Sequence, residues 1–174
     1  MISAGRLFTL ILSVPLLAAG SCDSVDDERI PAYAVSIDIR GAGKWNTYGV
    51  AAFGSSRRFI LPLRQPAGFP YSSTSATGYG GVLLICGLDP FTATADSPLA
   101  YDLSCPVEAK PDIRVEIEGE LYEAVCPVCG SRYDVTMNGG APISGPAASG
   151  ERKYALRRYS CLPATDGGYV ITNR

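Results

Sequence analysis

Cys126-Pro-Val-Cys-Gly-Ser-Arg-Tyr-Asp134 is the stretch on which the fold turns. Two cysteines separated by a proline and a valine, with a glycine after them, form a compact knuckle. It leads through Gly130-Ser-Arg-Tyr-Asp134 toward a turn and a strand, not into a helix. Upstream lies a second cysteine-bearing arm, Cys105-Pro-Val-Glu-Ala-Lys110. Between the arms, Ile113-Arg-Val-Glu-Ile-Glu118 alternates apolar and charged residues, the signature of a half-buried strand. Gly119 permits a turn from that strand into a second one, Leu121–Val125.

The rest of the chain has the same grain. Ile30–Ile39 and Phe59–Leu63 are expected to be short strands, and 69–78 (FPYSSTSATG) a long polar loop. Gly81-Val-Leu-Leu-Ile-Cys86 is a continuous apolar run of the length expected for a buried strand. Tyr154–Leu162 and Tyr169–Thr172 flank Thr165-Asp-Gly-Gly168, and Asp-Gly between two β segments marks a hairpin. No amphipathic helix of ten or more residues is expected. The class is all-β, in keeping with ten tyrosines and with 19 glycines and 13 prolines spread along the chain.

Taken in chain order, the two arms and the segments downstream of them resemble the Rieske domain. That family carries a C-P-H arm, a C-P-x-H-G-x-x-F/Y-D arm, then G-P-A and L-x-x-Y. Here Cys126-Pro-Val-x-Gly-Ser-Arg-Tyr-Asp134, Gly145-Pro-Ala147 and Leu156-Arg-Arg-Tyr159 keep the pattern. Cys129 stands in place of the second histidine and Val107 in place of the first. The resemblance covers about Gly81 to Thr172. The second arm is also similar to that of a class of Bacteroides lipoproteins ending in C-P-x-C-G-S-R-Y-D. The resemblance implies an antiparallel β-sandwich with a smaller subdomain of two cysteine-bearing loops.

For a cofactor, the departures matter. A Rieske cluster places two thiolates on one iron and two imidazoles on the other. The resemblance assigns Cys105 and Cys126 to the thiolate positions. Cys129 can replace one imidazole, and Val107 offers no donor. A fourth ligand is sought in Glu108, or in Cys86 or Cys161 arriving from other strands. The family would place those two cysteines in the supporting sandwich, away from the tip, so Glu108 is preferred. Three readings stay open: zinc or a two-iron two-sulfur cluster on Cys105, Cys126 and Cys129; a disulfide from Cys105 to Cys126 or Cys129 with no cofactor; and a redox-active Cys126–Cys129 pair. Cys86 and Cys161 each end an apolar or aromatic strand segment and form a candidate disulfide.

Composition narrows the function. The chain has no histidine, which excludes His-based acid–base, Ser-His-Asp and Cys-His chemistry and any His-ligated metal within it. With 15 basic against 17 acidic residues, there is no electrostatic case for nucleic acid. No nucleophile–base pair is visible, so an electron-transfer or binding module is favoured over an enzyme.

The N-terminus reads as an address. Arg6 precedes an apolar run to Ala19, too short to span a bilayer comfortably, and Ala18-Ala19-Gly20-Ser21-Cys22 is similar to a bacterial lipobox. The expected organisation is a signal peptide over 1–21, lipidation at Cys22, an acidic tether over 22–29 and one β domain over 30–174. This predicts a cell-envelope protein held to the outer membrane by lipid, with an envelope or redox partner. The acidic run Asp23–Glu28 resembles surface-export signals of Bacteroidetes lipoproteins, which implies surface exposure.

Overall fold

A computed structural model describes residues 25–174; the expected signal peptide over 1–21 and the expected lipidation at Cys22 lie outside the described residues. The chain is all-β. In order, the strands are β1 (Val25–Asp26), β2 (Val35–Arg40), β3 (Ser56–Phe59), β4 (Ala76–Thr77), β5 (Val82–Asp89) and β6 (Thr94–Asp102). They continue with β7 (Glu116–Glu118), β8 (Glu123–Val125), β9 (Arg132–Asp134), β10 (Ala141–Ser144), β11 (Lys153–Tyr154), β12 (Arg158–Pro163) and β13 (Gly168–Thr172). One helix of seven residues, α1 (Ala42–Tyr48), follows β2, and no described helix is long and apolar enough to cross a membrane.

Seven strands form the main sheet in the order β3-β5-β6-β12-β13-β2-β4, with antiparallel neighbours throughout. Four strands form a smaller antiparallel sheet, β10-β9-β8-β7, which carries the two arms. A larger antiparallel sheet thus supports a small two-loop cysteine subdomain.

The unbroken apolar run of β5 has a direct cause. Val82, Leu84 and Cys86 face one core with Ile37, Ile39 and Phe59, while Leu83 and Ile85 face a second core with Tyr101, Leu103 and Tyr133. A strand buried on both faces has no position for a polar residue. The second core continues under the small sheet to Cys105 and Cys126, so the supporting sheet and the cysteine loops share one packed interior.

Several expected boundaries move. Proline lacks the ladder N–H, and Pro62 closes the segment expected over 59–63 into a short 3-10 turn, Leu61–Leu63, after β3 ends at Phe59. Pro31 likewise delays β2 to Val35, although Ile30 is buried. The hairpin joining β12 and β13 forms as expected, with Pro163 opposite Tyr169, Ala164 N–H donating to Gly168 O at 3.0 Å, and positive φ at Gly167 and Gly168.

Residues 25–29, which fall in the expected acidic tether, pack against the β domain. β1 pairs in parallel with β11, and Ala155 N–H donates to Asp26 O at 2.9 Å. Arg152 lies 3.6 Å from Asp26 and Arg174 lies 3.4 Å from Asp27. Arg157 donates to Ile30 O at 2.5 Å and to Glu28 O at 3.2 Å. Arg29 stacks over Tyr154 and donates from Nε to Pro106 O at 2.6 Å, one residue from Cys105. Asp26 and Asp27 are seated on arginines distant from them in the linear sequence.

Candidate metal centre

Each arm is a tight backbone turn. In the first, Cys105 N–H donates to Ile113 O at 3.0 Å, and Ala109 N–H donates back to Cys105 O at 2.8 Å. In the second, Cys126 N–H donates to Ser131 O at 2.9 Å and Gly130 N–H donates to Cys126 O at 3.0 Å, which folds the knuckle so that Cys126 and Cys129 face the same space. Val128 is left on the crown, 61% exposed.

The arms meet. The sulfur atoms of Cys105, Cys126 and Cys129 all lie within 4.8 Å of one another, with Cys105 Sγ and Cys129 Sγ 3.6 Å apart. Cys105 and Cys126 are fully buried and Cys129 is half-buried. The loops therefore place the three expected thiols together, and all three are free.

Glu108 joins differently from expectation. The donors that lie within 4.8 Å of one another are the three thiols, and the Glu108 carboxylate is outside that group. The turn after Cys105 instead brings the backbone N–H groups of Glu108 and Val107 to the Cys105 sulfur. Cys86 and Cys161 also stay apart from the tip, in the other core. Both are free, and β6 separates β5 from β12. Two strand spacings come to about 9.5 Å, beyond the Cα separation of a disulfide. The candidate pairing of Cys86 with Cys161 is not made.

Two hydroxyl groups stand against the thiols. Tyr133 Oη lies 3.4 Å from Cys105 Sγ, and Ser131 Oγ lies 3.2 Å from Cys129 Sγ. Ser131 Oγ also accepts Ala147 N–H at 3.0 Å, which ties the Gly145-Pro-Ala147 turn to the second arm. Burial pushes the Cys105 thiol up to about 12, against the opposing pull of Tyr133 and of the Glu108 and Val107 N–H groups. At Cys129 burial also pushes upward, but the Ser131 hydroxyl and N–H, with the Cys126 and Cys105 side chains, outweigh it and leave this thiol below its ordinary value. Burial, then Cys105, keeps the Tyr133 phenol protonated far above its usual range. Sequence reasoning does not single out Ser131 and Tyr133 as site residues. Their signal is the S-x-Y step after the knuckle, which puts Ser131, just before β9, and Tyr133, within it, on the side of the cysteines.

A Rieske cluster does not fit these residues. It needs two imidazoles, and the chain has no histidine. A two-iron cluster held by thiolates alone needs four, and the described group supplies three. A single tetrahedral ion does fit. Metal–sulfur bonds of about 2.3 Å put neighbouring sulfurs about 3.8 Å apart. The Cys105–Cys129 separation of 3.6 Å is close to that before any adjustment.

An all-β protein whose two loops bring three free thiols together is the class that fold and site define. No family model matches the chain, and no curated protein matches it. Among solved structures, the chain is similar to the ferredoxin of carbazole 1,9a-dioxygenase from Nocardioides aromaticivorans IC177. The two are 14% identical with a TM-score of 0.40, over 80% of this chain and 97% of that one.

Proposed function

We propose that this protein is an envelope-anchored metal-binding module in which Cys105, Cys126 and Cys129 hold one soft ion of the zinc type. The observation that carries the reading is the pairing of three clustered sulfurs with N–H and O–H donors brought to two of them. Such donors stabilise negative sulfur, the form a metal ligates, whereas a disulfide sulfur carries no charge for them to offset. Thiolates without histidine select soft cations over magnesium or calcium. When bound, the ion supplies a cross-link between the two arms. Cys105, Cys126 and Cys129 hold it, the Val107, Glu108 and Ser131 N–H groups spread the charge, and the packing of Tyr133 and Val135 excludes water from below. The lipobox supports attachment through acylated Cys22, with the domain held at the outer membrane and open to an envelope partner.

The test is elemental analysis with an ultraviolet–visible spectrum on protein purified without air. One equivalent of zinc, lost in Cys129→Ser and Cys126→Ser variants, is the expected result. Visible absorption with two irons per chain would replace it with an iron–sulfur electron-transfer reading. A globomycin-sensitive mass increase at the N-terminus tests the anchor.

A second reading draws on the 3.6 Å Cys105–Cys129 contact, since a small closure would join those sulfurs and leave a scaffold with no cofactor. Intact mass before and after reduction separates the two, because a disulfide removes two hydrogens and abolishes metal uptake.

A further inference from the structure

Resting on the single-ion reading, we infer that the fourth coordination position is reserved for an external thiol. Three protein sulfurs satisfy a tetrahedral ion in all but one direction, and among the described residues no histidine, further cysteine or carboxylate joins the cluster. Structural zinc sites close with four protein ligands, whereas sites with three admit a ligand from outside. The way in is on the side of Cys129, the one half-buried thiol of the three, beside the exposed crown residue Val128 and the half-buried Val107.

The surroundings of that entrance select the chemistry. The flanking side chains, Val107 and Val128, offer nothing to a strongly hydrated ligand. Two cations near the arms are committed elsewhere: Arg132 donates to Glu123 at 2.5 Å, and Arg29 donates to Pro106 O at 2.6 Å and stacks on Tyr154. A carboxylate or phosphate would offer the ion a hard oxygen donor among three soft sulfurs. A thiol arrives neutral and apolar, binds as thiolate and releases its proton to solvent, and its sulfur matches the softness of the other three donors. The source is either a small-molecule thiol or a cysteine of a partner protein.

Cobalt(II) substitution of the full-length mature protein under anaerobic conditions tests this, read by d–d absorption and by X-ray absorption at the cobalt edge. Cobalt alone is expected to show three sulfurs and one lighter atom. Adding 2-mercaptoethanol in one arm, or a short cysteine-containing peptide in the other, is expected to raise the sulfur number to four and move the d–d bands to lower energy. A response to either supports the inference, and the tighter of the two identifies the source. Four sulfurs before any thiol is added, or three that neither thiol changes, overturns the inference while leaving single-ion binding intact. Failure to bind cobalt or zinc at all overturns both.

Discussion

Tyr159 Oη donates a 2.6 Å hydrogen bond to Asp102, a carboxylate on β6 with no solvent exposure. The same carboxylate accepts the N–H groups of Tyr79 at 2.9 Å, Gly80 at 3.1 Å and Ser104 at 2.7 Å. It thus joins the main sheet to the chain entering β5 and to the start of the first arm. Ser104 is the residue before Cys105, so the anchor for the first thiol is electrostatic as well as apolar.

Removing one partner should be costly. Tyr159→Phe takes away a charge-assisted bond in a dry site and is expected to destabilise by about 1.5–3 kcal/mol. Asp102→Ala leaves the buried Gly80 and Ser104 N–H groups unpaired and is expected to cost about 3 kcal/mol or more. Urea unfolding of both variants gives the order directly, and Tyr159→Phe as the worse of the two would contradict it.

Alkaline conditions probe both cores. Burial, then the Asp102 carboxylate, raises the Tyr159 phenol, and burial raises Tyr101. Both folded values lie above the unfolded value near 10, so the folded chain holds protons that the unfolded chain releases. The associated stability is intact below about pH 10 and falls as pH rises beyond it, by about 1.4 kcal/mol per pH unit for each tyrosine. Unfolding free energies measured from pH 9 to 11.5 should curve downward, and Tyr159→Phe should make that curve shallower.

Gly145 should govern the second arm. Its φ is +78°, and an added Cβ would come 2.8 Å from Ser131 Cα, against backbone. Ser131 contacts Cys129 and receives Ala147 N–H. Gly145→Ala is expected to cost about 1–3 kcal/mol through strain and to weaken zinc binding, seen by chelator competition. Unchanged affinity would separate the G-P-A turn from the site.

Thiol accessibility gives a further check. In metal-free protein, half-buried Cys129 should be alkylated ahead of Cys105 and Cys126, which are buried. Cys86, 1% exposed, should resist alkylation, and burial pushes Cys161 up to about 12, which slows its reaction further. Peptide mapping by mass after timed iodoacetamide treatment reads the order. A Cys86–Cys161 disulfide peptide would contradict the placement of β6 between them.

The sequence exposes the site more fully than the sheet that supports it. Cys105, Cys126 and Cys129 can be grouped in advance because each arm is local and the order of motifs is distinctive. Their donors cannot all be grouped, since the Val107 and Glu108 N–H groups act through backbone direction, which side-chain chemistry does not disclose. β5 is readable because burial on both faces leaves no polar break. Its partner β6 is not: Thr94-Ala-Asp-Ser-Pro-Leu-Ala-Tyr-Asp102 mixes polar residues and a proline, and its strand conformation comes from pairing with β5. α1 is equally hidden, since one face of a seven-residue helix held by Trp45 against Tyr169, 4.7 Å between rings, has no period to detect. The docked acidic run depends on Arg152, Arg157 and Arg174, whose approach only the folded chain reveals.

That docking limits how the molecule can stand. Asp23 and Ser24 are all that separate Cys22 from the first paired residue, Val25, a leash of about 10 Å at full stretch. A chain fastened to a bilayer at Cys22 could neither roam above it nor turn over. One flank would always meet the lipid, so orientation would come built into the mature protein and not from whatever it encounters.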